Sequence, residues 1–452
     1  MKLFNIKSKN FIQNSHRLDA KTYLSEGNLV IRYLENSPYP LKNIEYFSKD
    51  IFYGGRDKRY YVNNVSKGIP FMGSADMLKS DFSGLKLISK KLTKNINNYL
   101  LDKNWILISR SGTVGNVSFT SDLFKGKAAS EHIIRIVPKD DIYEGFLYAY
   151  LASKHGHNLL TQGKFGAVIQ HIEPEFISTI PVPIFPEEKQ QRIHQLIVEA
   201  SELRVEASRL QDEAVSYFNT KFPINGLTKI FTKSAKDLDF NLAAYNNNLE
   251  VDKIYSENKD DFFTLNQVVD KCFAPPMFKH IYLNKDNGHP FLTGAELTKF
   301  NKKFYRWLSL KGVKNINDYK VEKGTLLLYK SGNTDGGILG NIFIADDILD
   351  GACLSDHVIR IFTNDLNMSY WIYAFFKSDA GIRILQKTAT GSMIPFITPE
   401  RLLNLRIPKP DDQYEPVSEL IEKSLKCSVD SQIAENQAIA LIEKEIDLWQ
   451  VS

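Results

Sequence analysis

Hydrophobic side chains between residues 187 and 219 recur in alternating steps of three and four. This spacing is the a/d pattern of a helix that packs along a coiled-coil seam. The seam positions are Ile193, Leu196, Ala200, Leu203, Ala207, Leu210, Ala214 and Tyr217. Glu187 and Glu188 fall in the first turn, where carboxylates favour the positive end of the helix dipole. We therefore predict one helix from Glu187 to Asn219, roughly 50 Å long at about 1.5 Å per residue.

A second stripe of this spacing lies near the end of the chain, 224 positions further on (417 − 193). Its positions are Val417, Leu420, Ser424, Cys427, Ser431, Ala434, Ala438 and Leu441. Small side chains that face large ones let two backbones approach, so we expect the two helices to pack on each other, antiparallel if the two domains lie at opposite ends. The alternative is that each helix packs on its own domain, although so long a helix would overhang it.

The chain before each helix is repeated. Residues 68–71 (GIPF) return at 288–291 (GHPF), an offset of 220 (288 − 68), and the Asn-Ile-Asn-x-Tyr motif at 95–99 returns at 315–319. Residues 131–136 (EHIIRI) match 356–361 (DHVIRI) at an offset of 225 (356 − 131). A repeat of this length indicates a duplicated domain, because each copy is large enough to bury its own core.

Each copy is typical of a mixed α/β domain. Short β-type runs at 105–109 and 326–329 lead into glycine turns at 111–115 and 331–337. Amphipathic helices are predicted from Phe146 to Leu160 and from Tyr370 to Gln386, followed by β-like runs at 167–170 and 392–395. Prolines then end each domain, at 180–186 and 407–410. We predict domains at 1–186 and 221–410, a central helix at 187–220 and a C-terminal helix at 411–452.

Composition and charge add little by themselves. The 452 residues are 43% hydrophobic and 24% charged, with a net charge of +4 and a pI near 8.6, which permits nucleic-acid binding without arguing for it. Basic residues mixed with aromatic ones occur at 79–110 and again at 299–330. One such patch is equally consistent with a solvated lysine-rich face, but its presence in both copies favours a function. With no leader-like start and no long apolar run, the chain is expected in the cytoplasm.

Motifs for catalysis are weak. Cys272, Cys353 and Cys427 lack the spacing of a disulfide framework or a zinc site. The Pro-Pro pair at 275–276 does not fit an amino-methyltransferase loop, and residues 126–128 (GKA) lack the pattern of a phosphate-binding loop. The repeated Ser-Glu/Asp-His at 130–132 and 355–357 invites a catalytic interpretation, but neighbours on a strand point to opposite faces, so we expect the acid and the histidine not to pair.

Several blocks resemble a known family. They are residues 109–115 (SRSGTVG), 151–156 (LASKHG), 166–174 (GAVIQHIEP) and 180–193 (IPVPIFPEEKQQRI). Together with the two-copy order of domain, proline exit and long helix, they make nearly the whole chain resemble the specificity (S) subunit of type I restriction-modification enzymes. The second copy departs from the pattern, since residues 412–414 (DQY) replace the EEKQQ run, which leaves the exact start of the second helix open.

The resemblance implies a mixed α/β fold with two tandem target recognition domains, each followed by a long helix, and the helices packed as an antiparallel coiled coil with pseudo-twofold symmetry. It implies a cytoplasmic, non-catalytic subunit for phage defence that reads double-stranded DNA, one half-site per domain. Its partners would be two modification subunits, which use S-adenosylmethionine, and restriction subunits, which use ATP and magnesium. The alternative is a self-contained DNA nuclease or modification enzyme with unrecognised motifs.

Candidate residues follow from these motifs. The glycine loops and basic runs are expected to face DNA, and an amide beside them could pair with adenine. The DNA-binding candidates are Lys90, Lys91, Lys94, Arg110, Ser111, Gly112, Gln170, His171, Lys302, Lys303, Arg306, Lys330, Ser331 and Asn333. The glycine loops are equally consistent with turns that only close hairpins. Positions where the copies disagree, Arg110 against Lys330 and His171 against Phe396, are the first candidates for sequence readout.

Overall fold

A computed structural model describes residues 25–164, 170–224, 232–238, 246–332, 339–391 and 394–450. The chain divides into two compact units, residues 1–205 with 430–452 and residues 206–429. The boundary between the units falls inside both long helices, so each unit consists of one predicted domain together with a part of each helix. Of the predicted β-like runs at 167–170 and 392–395, residues 167–169 and 392–393 lie outside the described residues.

The first unit forms three small sheets. Its strands are β1 (Leu41–Asn43), β2 (Ser48–Tyr53), β3 (Tyr61–Val62), β4 (Gly68–Met72), β5 (Lys86–Ser89), β6 (Ile106–Ser109), β7 (Val117–Phe119), β8 (Ala128–Ala129), β9 (Ile133–Pro138) and β10 (Pro181–Pro183). One antiparallel sheet has the order β2-β9-β6-β7, and a second has the order β3-β5-β4-β8, with β4 and β8 parallel. The third pairs β1 with β10, so the proline exit closes against the start of the domain.

The second unit repeats this topology strand for strand. Its strands are β11 (Phe262–Thr264), β12 (Val269–Phe273), β13 (Tyr282–Leu283), β14 (His289–Leu292), β15 (Arg306–Leu308), β16 (Leu326–Tyr329), β17 (Ile342–Ile344), β18 (Cys353–Leu354), β19 (Val358–Thr363) and β20 (Arg406–Pro408). The orders are β12-β19-β16-β17, β13-β15-β14-β18 and β11-β20. The duplication read from the sequence is therefore a duplication of fold.

The α-helices of the described residues are α1 (Glu26–Glu35), α2 (Ile44–Phe47), α3 (Glu144–Ala152), α4 (Lys154–Gln162), α5 (Pro174–Ser178), α6 (Glu187–Lys221), α7 (Leu249–Glu257), α8 (Gly294–Leu297), α9 (Leu366–Lys377), α10 (Asp379–Lys387), α11 (Pro399–Leu403) and α12 (Tyr414–Asp447). The predicted central helix matches α6 to within two residues at its end. The second long helix, whose start the sequence left open, begins at Tyr414.

The two amphipathic helices predicted as single segments are each broken in the structure. The Ser153 hydroxyl accepts a hydrogen bond from the Gly156 amide and starts α4, and Ser378 and Gly381 do the same for α10. A Cβ on Gly156 would lie 2.1 Å from the Tyr150 carbonyl oxygen, so only glycine lets the second helix begin this close to the first. The single-helix prediction was wrong because hydrophobic spacing does not register a serine cap.

Within each unit, parts of α6 and α12 run antiparallel and join the core. In the first unit Lys189 pairs with Glu445 at 2.7 Å, and the Ser431 hydroxyl donates to the Ala200 carbonyl at 2.9 Å. In the second unit the Ser424 hydroxyl donates to the Ala207 carbonyl at 2.7 Å. Small side chains therefore let the two backbones approach within a side-chain hydrogen bond, as their spacing in the sequence suggested.

The predicted stripe of α6 faces inward, and that of α12 does so in part. Ile193, Leu196, Ala200 and Leu210 are buried, and Leu203 and Ala207 are half-buried. On α12, Val417, Ala434 and Ala438 are buried and Leu420 and Cys427 are half-buried. Leu441 instead is 43% exposed and Ile442 is fully buried. The inward positions of α12 were predicted by adding a fixed offset to those of α6. At Leu441 this prediction is wrong by one residue, because Ile442 faces inward instead.

Candidate nucleic-acid interface

A buried arginine holds the turn that precedes β9 in the first unit. Arg135 has no exposed surface, and its guanidinium donates to the carbonyl oxygens of Ser130 and Ile133 at 3.2 and 2.8 Å. Burial lowers the pKa of Arg135 to about 10, so the side chain remains charged at neutral pH. Arg360 binds the equivalent turn of the second unit through the Ser355 carbonyl at 2.9 Å. The repeated EHIIRI and DHVIRI blocks therefore contain the arginine that fixes this turn, at which His132 and His357 are exposed.

The acid and the histidine of this turn do contact each other. His132 Nε2 lies 3.4 Å from Glu131 Oε1, and in the second unit His357 Nε2 lies 4.0 Å from Asp356 Oδ2. The expectation that they would not pair is therefore wrong for the first unit, where both residues precede the strand and occupy a turn, whereas in the second unit Asp356 Oδ2 forms no hydrogen bond among the described residues. A side chain of the turn is therefore free to fold back on its neighbour.

Glu131 also forms an ion pair with an arginine. Arg59 Nη2 lies 2.5 Å from Glu131 Oε2. Burial alone would raise the pKa of Glu131, but its own backbone amide and the Arg59 guanidinium hold that pKa below its ordinary value. Because its charge is neutralised by Arg59, Glu131 is poorly placed to strengthen His132 as a general base, although a Ser-His-carboxylate row is the arrangement of hydrolytic triads.

Three separated motifs meet at this turn. Ser111 Oγ lies 2.6 Å from His132 Nδ1, and the Arg110 amide donates to the His132 carbonyl at 2.8 Å. Ser111 also forms a β-bridge with His171. Chain segments around residues 110, 131 and 171, which the sequence identified one by one, thus form one surface in the first unit.

The second unit builds the same backbone frame. The Lys330 amide donates to the His357 carbonyl at 2.9 Å, and Ser331 forms a β-bridge with Phe396. Hence His171 and Phe396, the residues at which the two copies disagree, occupy the same bridge position. Asn333 lies outside the described residues.

Arg110 lies inside the domain. The residue is 3% exposed, its guanidinium pairs with Glu173, and the guanidinium carbon lies 4.3 Å from the ring centroid of Tyr53. Its equivalent Lys330 and the neighbouring Ser331 are half-buried. Gly112 is exposed with φ +77°, a left-handed conformation that glycine adopts without strain, and Gln170 is also exposed. The reachable part of these loops is therefore their tip and not Arg110.

The basic candidates differ between the copies. Lys90, Lys91 and Lys94 are exposed, and Lys90 Nζ donates to a neutral carbonyl, that of Ser66 at 3.3 Å.

In the second copy Lys302 pairs with Asp346 at 3.1 Å and Arg306 pairs with Glu296 at 2.5 Å, while Lys303 is half-buried. Two of the three second-copy candidates are therefore ion-paired, whereas no carboxylate among the described residues pairs with the three first-copy candidates.

Sequence reasoning missed one segment, the connection between β2 and β3. Arg56, Lys58 and Arg59 are exposed there, and the hydroxyl of Tyr99 lies 3.0 Å from the Gly55 carbonyl oxygen. In the second unit the Tyr319 hydroxyl lies 2.9 Å from the Pro276 carbonyl oxygen. Both tyrosines end the repeated Asn-Ile-Asn-x-Tyr motif. The cluster of three basic residues, together with this repeat, was the feature of the sequence that could have identified the segment.

The described residues contain no group of three or more His, Cys, Asp or Glu side chains placed to hold a metal ion. Among the same residues, no helix combines the length and the apolar character that a membrane span requires. The arrangement is instead that of two surfaces built on one backbone frame and carrying different side chains.

A family model described as "Type I restriction modification DNA specificity domain" matches the chain twice, over residues 42–202 and 257–436. No curated protein matches it significantly. The chain is similar to the type I restriction-modification system S subunit from M. genitalium, with 13% identity and a TM-score of 0.30 over 91% of this chain and 95% of that chain. It is also similar to the HsdS subunit from Thermoanaerobacter tengcongensis, with 14% identity and a TM-score of 0.28 over 91% and 96%.

Proposed function

The chain belongs to the type I restriction-modification DNA specificity family, and from this membership we propose that it reads a bipartite DNA target, with one half-site for each recognition domain. The observation that supports the proposal best is the strand-for-strand repeat of the fold with different residues at equivalent positions, such as His171 and Phe396. A backbone fold that occurs twice is suited to two domains that bind the same kind of ligand. Different side chains on the two copies are suited to two different DNA half-sites.

Charge supports double-stranded DNA as the ligand. In the first domain Lys90, Lys91 and Lys94 are exposed and suited to phosphate contacts, which position a protein on DNA without reading its sequence. Gln170, which is exposed, and the neighbouring His171, which bridges to Ser111 beside the Gly112 turn, are proposed to approach base edges. Arg110, Lys302 and Arg306 are proposed to support these loops through their ion pairs with Glu173, Asp346 and Glu296.

The long helices are proposed to hold the two readers at a set distance and to dock two modification subunits. Within each unit the recognition domain shares its core with parts of α6 and α12, which is what a rigid mounting requires. The modification subunits would bring S-adenosylmethionine and methylate adenine N6 after flipping the base. Restriction subunits would bring ATP and magnesium, so the chain itself would supply recognition and no catalysis.

The decisive experiment is to map N6-methyladenine in DNA from cells that express this chain together with its modification subunit. We expect a methylated motif made of two different half-sites separated by a fixed number of unread base pairs. A single uninterrupted motif, or the same half-site twice, would contradict the division of labour between the domains. Cells that express the modification subunit alone serve as the control and should lack the motif.

A second measurement separates this proposal from a self-contained enzyme. The purified chain alone should neither cut nor methylate DNA, with or without magnesium, ATP and S-adenosylmethionine. Activity that persists in protein freed of other subunits would favour a nuclease or modification enzyme instead.

A further inference from the structure

The β2–β3 segment (54–60) and the β12–β13 segment (275–281) correspond residue for residue. In the flanking strands, Phe52 lies opposite Arg135 and Phe273 lies opposite Arg360, an offset of 221 (273 − 52). At the other end, Tyr61 corresponds to Tyr282, again at 221 (282 − 61). Because nothing is inserted between these points, Arg56 of the first domain occupies the position of Met277 in the second.

Alternate residues of both segments are held against their own domain. The hydroxyl of Tyr99 lies 2.8 Å from Asp57 Oδ2, and at the equivalent place the ring of Phe278 lies 4.5 Å from that of Tyr319. Burial, followed by the hydrogen bond to Asp57, raises the pKa of Tyr99, so this hydroxyl remains a donor at neutral pH.

Two residues further along each segment, a second side chain also contacts an aromatic ring of its own domain. The Arg59 guanidinium lies 5.0 Å from the ring centroid of Phe71, and the His280 ring lies 5.1 Å from that of Phe291. Phe71 and Phe291 are themselves equivalent positions of the sequence repeat. With the tyrosine contacts to the Gly55 and Pro276 carbonyl oxygens, the backbone of both segments is thus fixed at matching points.

The residues between these contacts are exposed. They are Arg56 and Lys58 in the first domain and Met277 and Lys279 in the second. Met277 is 83% exposed, an unfavourable position for a long apolar side chain without a partner. Arg56 contacts no carboxylate in the part of the chain that the structure describes, and Lys58 Nζ lies 5.3 Å from the ring centroid of Tyr60. Each segment therefore offers one lysine that both copies share and one residue that differs.

We propose that Arg56 and Met277 are specificity-determining residues that read bases at equivalent places in the two half-sites, while Lys58 and Lys279 contact phosphate. The inference rests on the proposed DNA recognition. Arginine pairs bidentately with O6 and N7 of guanine, whereas an apolar side chain contacts the C5 methyl group of thymine. The first half-site therefore contains a guanine read by Arg56, and the second contains a thymine read by Met277.

The test uses the assembled modification complex and duplexes that carry its methylated motif with one base pair changed at a time. For the wild-type complex we expect about a tenfold preference for guanine at one position of the first half-site. Arg56→Ala should reduce that preference to about twofold or less and leave the second half-site unaffected. Arg56→Lys should keep only part of it, because an ammonium retains the charge but not the two parallel hydrogen bonds of a guanidinium.

Lys58→Ala is the matched control, since it removes a neighbouring positive charge from the same segment. It should weaken binding to all sequences alike and reduce the slope of log affinity against log salt by about one phosphate contact. If Arg56→Ala behaves like Lys58→Ala and weakens binding to all sequences alike, Arg56 contacts phosphate and the inference fails.

The second domain is tested by replacing each thymine of its half-site with deoxyuridine, which lacks the methyl group. One replacement should weaken binding of the wild-type complex several-fold and should have no effect on Met277→Ala. Sensitivity to deoxyuridine that persists unchanged in Met277→Ala would overturn this part. A wild-type complex that shows no sequence preference at all would instead contradict the proposed function, so the two failures are distinguishable.

Discussion

The first unit buries a charged cluster where the second unit has a partly buried neutral pair. Tyr148 donates to Glu435 at 2.8 Å, and Glu435 pairs with Arg204, whose side chain is 10% exposed. At the equivalent place Tyr373 donates to Gln211 at 2.7 Å. Burial, followed by the charge of Glu435, raises the pKa of Tyr148 well above its ordinary value, so the hydroxyl remains a donor.

Arg204→Ala should lower the free energy of unfolding by about 3–5 kcal/mol, because it leaves the Glu435 carboxylate buried without a cation. In the second unit, Gln211→Ala removes the hydrogen-bond partner of Tyr373 and should cost about 1 kcal/mol, since only a neutral hydrogen bond is lost. Urea-induced unfolding at pH 7 measures both. Similar losses in the two variants would mean that the charge on Glu435 is relieved in another way.

The exposure of the candidate DNA-binding side chains is what the sequence predicted least well. The repeated motifs identified the frame, including the turn of Glu131 and His132 and the loop of Ser111. They did not separate Arg110, which is buried against Tyr53 and Glu173, from Arg56, which is exposed. Which of two arginines reaches solvent depends on tertiary contacts of distant residues, and no local pattern records these contacts.

At the scale of single elements, the long helix α6 was predictable because its apolar spacing is regular and its start carries two glutamates. The inward stripe of α12 was less predictable, because small and polar residues such as Ser424 and Ser431 occupy inward positions on it. Such residues give a weak periodic signal, and the exposed Leu441 and buried Ile442 are both apolar. Composition alone therefore cannot choose between the two registers.

Lengthening both helices by one heptad should lengthen the gap in the DNA target and leave both half-sites unchanged. The insertions belong after Val205 in α6 and after Val429 in α12, which are equivalent positions at the offset of 224 (429 − 205). Seven residues add about 10 Å, which corresponds to roughly three base pairs of B-DNA. Methylation mapping in cells measures the gap.

Insertions of three residues at the same two places are the control, since they rotate the apolar stripe away from its partner and should weaken folding. A heptad variant that folds and methylates DNA with the original gap would show that the helices do not set the distance.

At the scale of the whole molecule, acid should weaken both units through carboxylates at the ends of the helices. Burial would raise the pKa of Asp411, but Lys221 and Tyr217 hold it below its ordinary value. Glu445 responds likewise to Lys189 and Tyr39. A carboxylate with a lowered pKa in the folded state contributes stability above its unfolded pKa, near 4, and that contribution is lost as the pH falls further.

The urea midpoint should therefore fall as the pH is lowered from about 4.5 toward 3. Asp411→Asn and Glu445→Gln should each be less stable than the wild type at pH 7 and show a shallower dependence on acid. Equal dependence in the variants and the wild type would assign the acid sensitivity to other groups.

Exchanging one whole domain is the strictest test of two independent readers. Replacing residues 222–410 with the corresponding domain of another family member should change one half of the methylated motif and preserve the other half and the gap. These limits keep the contacts of Lys221 and Tyr217 with Asp411, so the mounting of the domain on its helices is retained. Exchange of residues 42–186 is the reciprocal control and should change only the other half. If either exchange alters both halves, recognition is not divided between the domains.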